Sequence, residues 1–188
     1  MGSPKALLDF RGRPFVARIL EALEALEIKT RVVVVGPDAP RIRPALADHD
    51  CLIVENPDVD AGPIESLRVA LRALQPVQPR AALVWPVDLP HVRVATVERV
   101  LETHRRTGAP VVVPTFAERR GHPVLWGAAT FEELLTSDAA TRDGARAVLR
   151  AHAADVVTVA VDDPAVIDDL NTPEDYERLV RELNRDIY

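Results

Sequence analysis

Cysteine is nearly absent from the chain. One residue, Cys51, stands among 188, so no intrachain disulfide can form and no thiolate cluster can hold a metal. It precedes the run "LIVEN" and reads as a small apolar packing residue. A basic excess is also lacking. Twenty-three Lys and Arg face 29 Asp and Glu, for a formal charge of −6. That argues against a protein that grips a nucleic-acid backbone. It leaves a nucleotide possible, because one lysine and one metal ion can manage a triphosphate locally. No apolar run approaches the length of a membrane span, and the N-terminus shows no apolar signal-peptide stretch. The expectation is a soluble cytoplasmic protein without membrane or nucleic-acid partners. The motifs G-x-S-x-G, H-E-x-x-H, G-x-G-x-x-G and a full P-loop are missing too. Hydrolase triads, zinc proteases and dinucleotide oxidoreductases are thereby disfavoured.

What is present is an apolar fraction of 47%, enough for a packed core and too much for a disordered chain. The length predicts one domain over 1–188. β-branched runs at 31–36, 51–56, 81–88, 109–116, 122–126 and 155–161 predict strands. Several lack alternation, as strands covered on both faces do. Between them, helices are predicted at 15–28, 63–75, 94–106, 130–136, 143–153 and 173–184. In "FVARILEALEALEI" Phe15, Ile19, Leu20, Leu23 and Leu26 share one face. In "NTPEDY" Thr172 caps, Pro173 takes the first helical position and acids follow. The alternation predicts a Rossmann-like three-layer α/β/α sandwich with a mainly parallel mixed sheet. Ligands gather beyond the carboxyl ends of strands in such folds. This directs attention to Gly36, Asn56, Asp88 and the segment 168–171.

Five stretches carry candidate chemistry. In "LVWPVDLP" Asp88 follows a buried strand between two prolines. It is suited to a Mg²⁺ bridging phosphates, or equally to an ordinary turn. In "VIDDLNTPEDY" Asn171 offers a carbonyl oxygen to a hard cation, against a plainer reading of capping and solvated acids. In "ENPDVDAGPIESLRVAL" Asn56, Gly62 and Ser66 surround a helix start that can face an anion or a base edge, or simply connect strand to helix. In "RRGHPVLW" Gly121 permits close approach of a ligand or of another backbone, and His122 can meet a phosphate or only the surface. In "ATRDGARAVL" Asp143 and Gly144 read as a helix start, and Arg146 as a solvated arginine.

Taken in order, these segments resemble the MobA-like NTP transferases, particularly the molybdenum-cofactor cytidylyltransferase branch. "MGSPKALLDFRGRPF" resembles the second half of that family's signature, LAAGxSxRMGxPKxLLxxxG. "NPDVDAGPIESLRVAL" resembles its base-side loop, "PVDLPHV" its D-x-P metal motif, "RRGHPVLW" its R-G-H-P strand, and "DDLNTPEDY" its D-[IL]-[DN]-T-P-E-D-Y ending. The resemblance spans nearly the whole chain. It implies a fold like that of the nucleotide-diphospho-sugar transferases and transfer of a nucleotide from an NTP, CTP or GTP, to a phosphorylated acceptor such as molybdopterin. Lys5 would then neutralise the triphosphate, and Asp88 and Asn171 would hold Mg²⁺. Asn56, Gly62 and Ser66 would lie on the nucleotide side, Gly121 and His122 on the acceptor side. Asn171 stands where the family often has Asp, and keeps the oxygen ligand while removing a charge.

The resemblance has one gap. The family's first strand and glycine-rich loop, LAAGxSxR, have no counterpart, and Met1 falls at the family's internal methionine. "DGARAVL" likewise lacks one glycine of the family's GDxGaR pattern. The expectation is a domain incomplete at its N-terminus, by a start codon placed too far downstream. An incomplete chain that was made deliberately, and a natural loss of NTP binding, compete with it. Two other functions follow from the same residues: a non-catalytic partner in molybdoenzyme maturation, and a small metal-dependent glycosyltransferase. The base, the acceptor and the oligomeric state are left open.

Overall fold

The structure is a computed structural model that describes residues 3–185, with side chains through 182. Met1, matched above to an internal methionine, lies outside the described residues. A turn at Lys5–Leu7 leads into β1 (Asp9–Phe10), β2 (Arg13–Pro14) and α1 (Phe15–Ala25). Then come β3 (Val32–Val35), α2 (Ala39–Ile42), β4 (Leu52–Glu55), α3 (Pro63–Leu74), β5 (Ala81–Val84) and α4 (Val94–Thr107). The second half holds β6 (Val111–Phe116), β7 (Arg119–Arg120), β8 (Val124–Gly127), α5 (Phe131–Thr136), α6 (Asp138–Asp143), α7 (Ala145–Ala151), β9 (Val156–Ala160) and α8 (Pro173–Arg185).

The larger sheet runs β5-β8-β6-β7, with β9 also paired to β6. β5 and β6 are each antiparallel to β8, and β6 is parallel to β9. Thus β5, β6 and β9 share a direction, which β8 and the two-residue β7 oppose. β3 and β4 form a separate parallel pair, in register from Val32 against Leu52 to Val35 against Glu55. Helices cover both faces, as the unalternated runs require. Leu89, Val92, Val97, Val100, Val112 and Leu125 pack on one side of the larger sheet. Ile64, Leu71, Val111, Val113, Trp126 and Leu134 pack on the other.

Burial differs sharply between strands of similar composition. Every residue of Val111–Pro114 and of β8 is buried, whereas all four residues of β5 and three of the four valines of β3 are only half-buried. β6 has a laddered neighbour on each side, while β3 and β5 each pair with one strand among the described residues. α3 bridges the two sheets. It packs on β3 and β4, and its Ile64 and Leu71 belong to the core of the larger sheet.

Several boundaries moved for identifiable reasons. α1 stops at Ala25 rather than 28, where Glu27 turns to φ +56°. The helix predicted at 143–153 is two. Asp143 ends α6, Gly144 at φ +70° breaks the chain, and α7 follows. Asp143 is therefore no helix start, and its carboxylate accepts a hydrogen bond from Arg150 at 2.7 Å. The cap of α8 forms as read: the Thr172 hydroxyl accepts from the Asp175 amide at 3.1 Å, and the Asp175 carboxylate accepts from the Thr172 amide at 2.9 Å.

Candidate nucleotide and metal site

Three loops meet beyond the carboxyl end of β5. The first carries Lys5 on its turn, closed by the Leu8 amide donating to the Lys5 carbonyl at 3.1 Å. Apolar packing holds this segment. Phe10 and Phe15 are buried with Leu170 and Leu179, and the Tyr176 hydroxyl donates to the Asp9 carbonyl at 3.0 Å. The second loop follows β5 and carries Asp88. Its neighbour Leu89 is fully buried, and the Leu89 carbonyl accepts from the Trp85 indole at 2.9 Å. The third leads into α8 and carries Asn171, whose amide donates to the Asp175 carboxylate at 3.2 Å.

At the junction the Lys5 ammonium donates to Asn171 Oδ1 at 2.7 Å and lies 3.6 Å from Asp88 Oδ2. The Lys5 and Asp88 side chains are 31% and 22% exposed, so the cluster is open to a ligand yet sheltered. The backbone fixes the spacing as well, since the Leu170 amide donates to the Asp88 carbonyl at 3.3 Å. A carboxylate and an amide oxygen are hard donors, and both already face a positive charge. Among the described residues no group of three or more His, Cys, Asp or Glu gathers into a metal cage. Asp88 and Asn171 offer two oxygens of the kind that would suit Mg²⁺, which is commonly held through only one or two protein ligands.

His122 borders the same cluster. Its amide donates to the Val166 carbonyl at 2.8 Å, and its Nδ1 is buried without a partner. Burial pushes its pKa below the ordinary value of 6.5; the charges of Asp169 and Asp88 oppose this and Arg146 reinforces it. Burial thus favours the neutral imidazole. Arg146, read from sequence as merely solvated, is within electrostatic reach of this ring. At Gly121 the close approach is to backbone. A Cβ built there would run into the Val166 carbonyl, so no other residue fits unless the chain moves.

The stretch 56–66 is arranged differently. Asn56 is buried, its amide donates to the Ser66 hydroxyl at 3.0 Å, and its Oδ1 accepts from the Asp58 amide at 2.9 Å. Gly62 caps α3 at φ +83°, with open space where a Cβ would stand. The Glu65 amide is taken by the Gly62 carbonyl at 3.2 Å. Thus two of the three candidates here bind each other and shape the loop.

Sequence reasoning missed one group beneath the cluster. Arg178 grips Asp168 through two hydrogen bonds of 3.0 and 2.7 Å, and His91 Nε2 lies 3.2 Å from the same carboxylate. Burial pushes the Asp168 pKa up, but Arg178 and then His91 outweigh it and hold the carboxyl below its ordinary value. The i,i+3 spacing of Asp175 and Arg178 was a visible signal for an arginine turned toward this loop.

An α/β/α fold with a lysine, a carboxylate and an amide oxygen gathered at the carboxyl ends of its strands is the architecture of nucleotide-handling transferases. The chain belongs to the MobA-like NTP transferase domain family, whose sequence profile matches residues 1–170. The bifunctional protein GlmU of Bifidobacterium animalis subsp. lactis is 31% identical over 116 residues, covering 60% of this chain and 25% of that protein. The chain thus spans about a quarter of the length of the curated relatives it matches. Among solved structures, Rv0371c from Mycobacterium tuberculosis H37Rv superposes with a TM-score of 0.79 at 26% identity, covering 96% of this chain and 91% of that one. The same protein was also solved as a manganese complex, with a TM-score of 0.74 over 95% and 91% of the two chains. Molybdopterin-guanine dinucleotide biosynthesis protein A from Archaeoglobus fulgidus shares the fold, with a TM-score of 0.69 at 18% identity over 98% and 92% of the chains. No helix among the described residues is long and apolar enough to cross a membrane.

Proposed function

We propose that the chain is a cytoplasmic nucleotidyltransferase that moves a nucleoside monophosphate from an NTP to a phosphorylated small molecule and releases pyrophosphate. One observation carries this reading: Lys5, Asp88 and Asn171, remote in sequence, meet with the ammonium 2.7 Å from Asn171 Oδ1 and 3.6 Å from Asp88 Oδ2. The manganese complex of Rv0371c supports a divalent cation at such a fold. Asp88 and Asn171 would hold Mg²⁺, which when bound spreads the charge of the triphosphate and of the attacking phosphate. Lys5, a compact point charge, turns from Asn171 to the phosphates and stabilises the charge that grows at the α-phosphorus. The acceptor phosphate attacks in line. It is already an anion, so no general base is needed, and positioning with electrostatics supplies the rate. His122 would lie on the acceptor side, and Gly121 lets its strand pass close to Val166. The loop held by Asn56, Ser66 and Gly62 shapes the base side.

CTP is the favoured donor and GTP the alternative. A molybdopterin-type phosphate is the favoured acceptor, which would place the chain in molybdenum-cofactor synthesis beside a molybdoenzyme-maturation partner. The test is pyrophosphate release with each of the four NTPs, in Mg²⁺ or Mn²⁺, with and without the acceptor. Release with CTP alone among the four supports the assignment; no release with any NTP overturns it.

A further inference from the structure

Beneath the cluster, one imidazole touches all three loops that build it. His91 follows Asp88 on the second loop. Its ring packs on Phe10 of the Lys5 segment, with ring centroids 6.4 Å apart and tilted by 47°. Its Nε2 lies 3.2 Å from Asp168, three residues before Asn171 on the third loop. Burial lowers its pKa, partly opposed by the Asp168 charge, and so favours the neutral ring. With the proton on Nε2 it donates to Asp168, leaving Nδ1 a buried acceptor without a partner. Asp168 is in turn held by the two-pronged grip of Arg178 from α8. A planar guanidinium fixes the direction of a carboxylate in a way a lysine cannot.

We infer that His91 is the positioning residue of the site: with Asp168 and Arg178 it forms a strut that sets the separation of Asp88, Asn171 and Lys5. The inference rests on the proposed roles of those three residues. The strut touches neither the candidate ligand oxygens nor the ammonium. It acts through the loops, and the Leu170 amide bonded to the Asp88 carbonyl reports on their lacing. Groups hydrogen-bonded directly to metal ligands typically set affinity by about 10- to 100-fold, and a strut that acts through the loops is expected at the lower end of that range.

The test compares wild type with His91→Ala, His91→Gln, Arg178→Ala and Arg178→Lys. Two quantities are measured: Mn²⁺ and Mn·CTP affinity by titration calorimetry, and hydrogen exchange at the Leu170 amide. His91→Ala and Arg178→Ala are expected to weaken Mn²⁺ by about tenfold and to speed exchange at Leu170, while circular dichroism stays native. His91→Gln, which keeps a donor near Asp168, is expected to restore most of both. Arg178→Lys is expected to restore little. Should Arg178→Ala fail to fold, the histidine pair decides alone. Unchanged Mn²⁺ affinity and unchanged Leu170 exchange in His91→Ala would overturn the strut. Wild type that binds neither Mn²⁺ nor Mn·CTP would instead overturn the metal site, and faster Leu170 exchange in the variants would still support the lacing.

Discussion

The two ends of the candidate site differ in how their side chains are engaged. At the proposed phosphate end, Lys5, Asp88 and Asn171 come from remote loops and meet at contacts of 2.7 and 3.6 Å. Nothing in the folding of a single loop requires those contacts, and the partially exposed groups remain free to exchange partners. At the proposed base-side end, Asn56 and Ser66 are bonded to each other, and Asn56 also holds the turn at Asp58. Those polar atoms are committed to local structure. The lesson is that a polar residue at a strand's carboxyl end is a stronger ligand candidate when its partner is distant and exchangeable.

That contrast can be broken by substitution. The largest effect is expected from Asp88→Ala. Pyrophosphate release should fall by about 10²- to 10³-fold, with the thermal midpoint held near wild type, because a partially exposed surface ion pair contributes little to stability. Activity above a tenth of wild type would remove Asp88 from the chemistry. Next, Lys5→Met should cost about 10- to 100-fold in kcat/KM for the NTP, the range expected for one hydrogen bond to a charged group. Steady-state kinetics with CTP measures it.

Asn56→Ala should behave in the opposite sense. It leaves the Ser66 hydroxyl and the Asp58 amide without a partner and should cost about 1–3 kcal/mol of unfolding free energy, read by urea denaturation. Turnover at a permissive temperature should fall less than tenfold. A loss as deep as that of Asp88→Ala would erase the distinction between the ends. Gly62→Ala should cost about 1 kcal/mol through its φ of +83°, with no clash, since its Cβ would meet open space.

The smallest effect concerns pH. The folded pKa of His122 lies below 6.5, so between the two values the unfolded chain binds more protons than the folded one. Stability is then full above pH 6.5 and declines as pH falls, by at most about 1.4 kcal/mol per pH unit from this group. His122→Gln should flatten that part of the pH–stability curve. A curve as steep as wild type would remove His122 as its source.

Much of the fold was legible because parallel strands covered on both faces leave unbroken β-branched runs, as "RVVVVG" and "APVVVPTF" did. The β1–β2 turn escaped because two-residue strands have no periodicity. Its signal was Arg11-Gly12, both at positive φ. α6 escaped behind a quiet cap, the Ser137 hydroxyl accepting from the Ala140 amide. In the site, motif resemblance singled out Lys5, Asp88 and Asn171 before their convergence was visible. The His91–Asp168 contact of the strut was not legible, since the two residues are 77 apart and neither stands in a motif that names the other. The Asn56–Ser66 bond was hidden for a different reason: both residues suit a ligand equally well until their hydrogen bonds are counted.

α3 has a mechanical consequence. No backbone ladder joins the β3–β4 pair to the larger sheet among the described residues. α3 packs on the smaller pair and contributes Ile64 and Leu71 to the core of the larger sheet, and Arg68 anchors it. That buried arginine donates to the Leu134 carbonyl at 3.0 Å and to the Thr141 hydroxyl at 2.8 Å, fastening α3 to α5 and α6. The contact of α3 with each sheet is side-chain packing, a sum of many weak contacts of about 0.1–0.2 kcal/mol each.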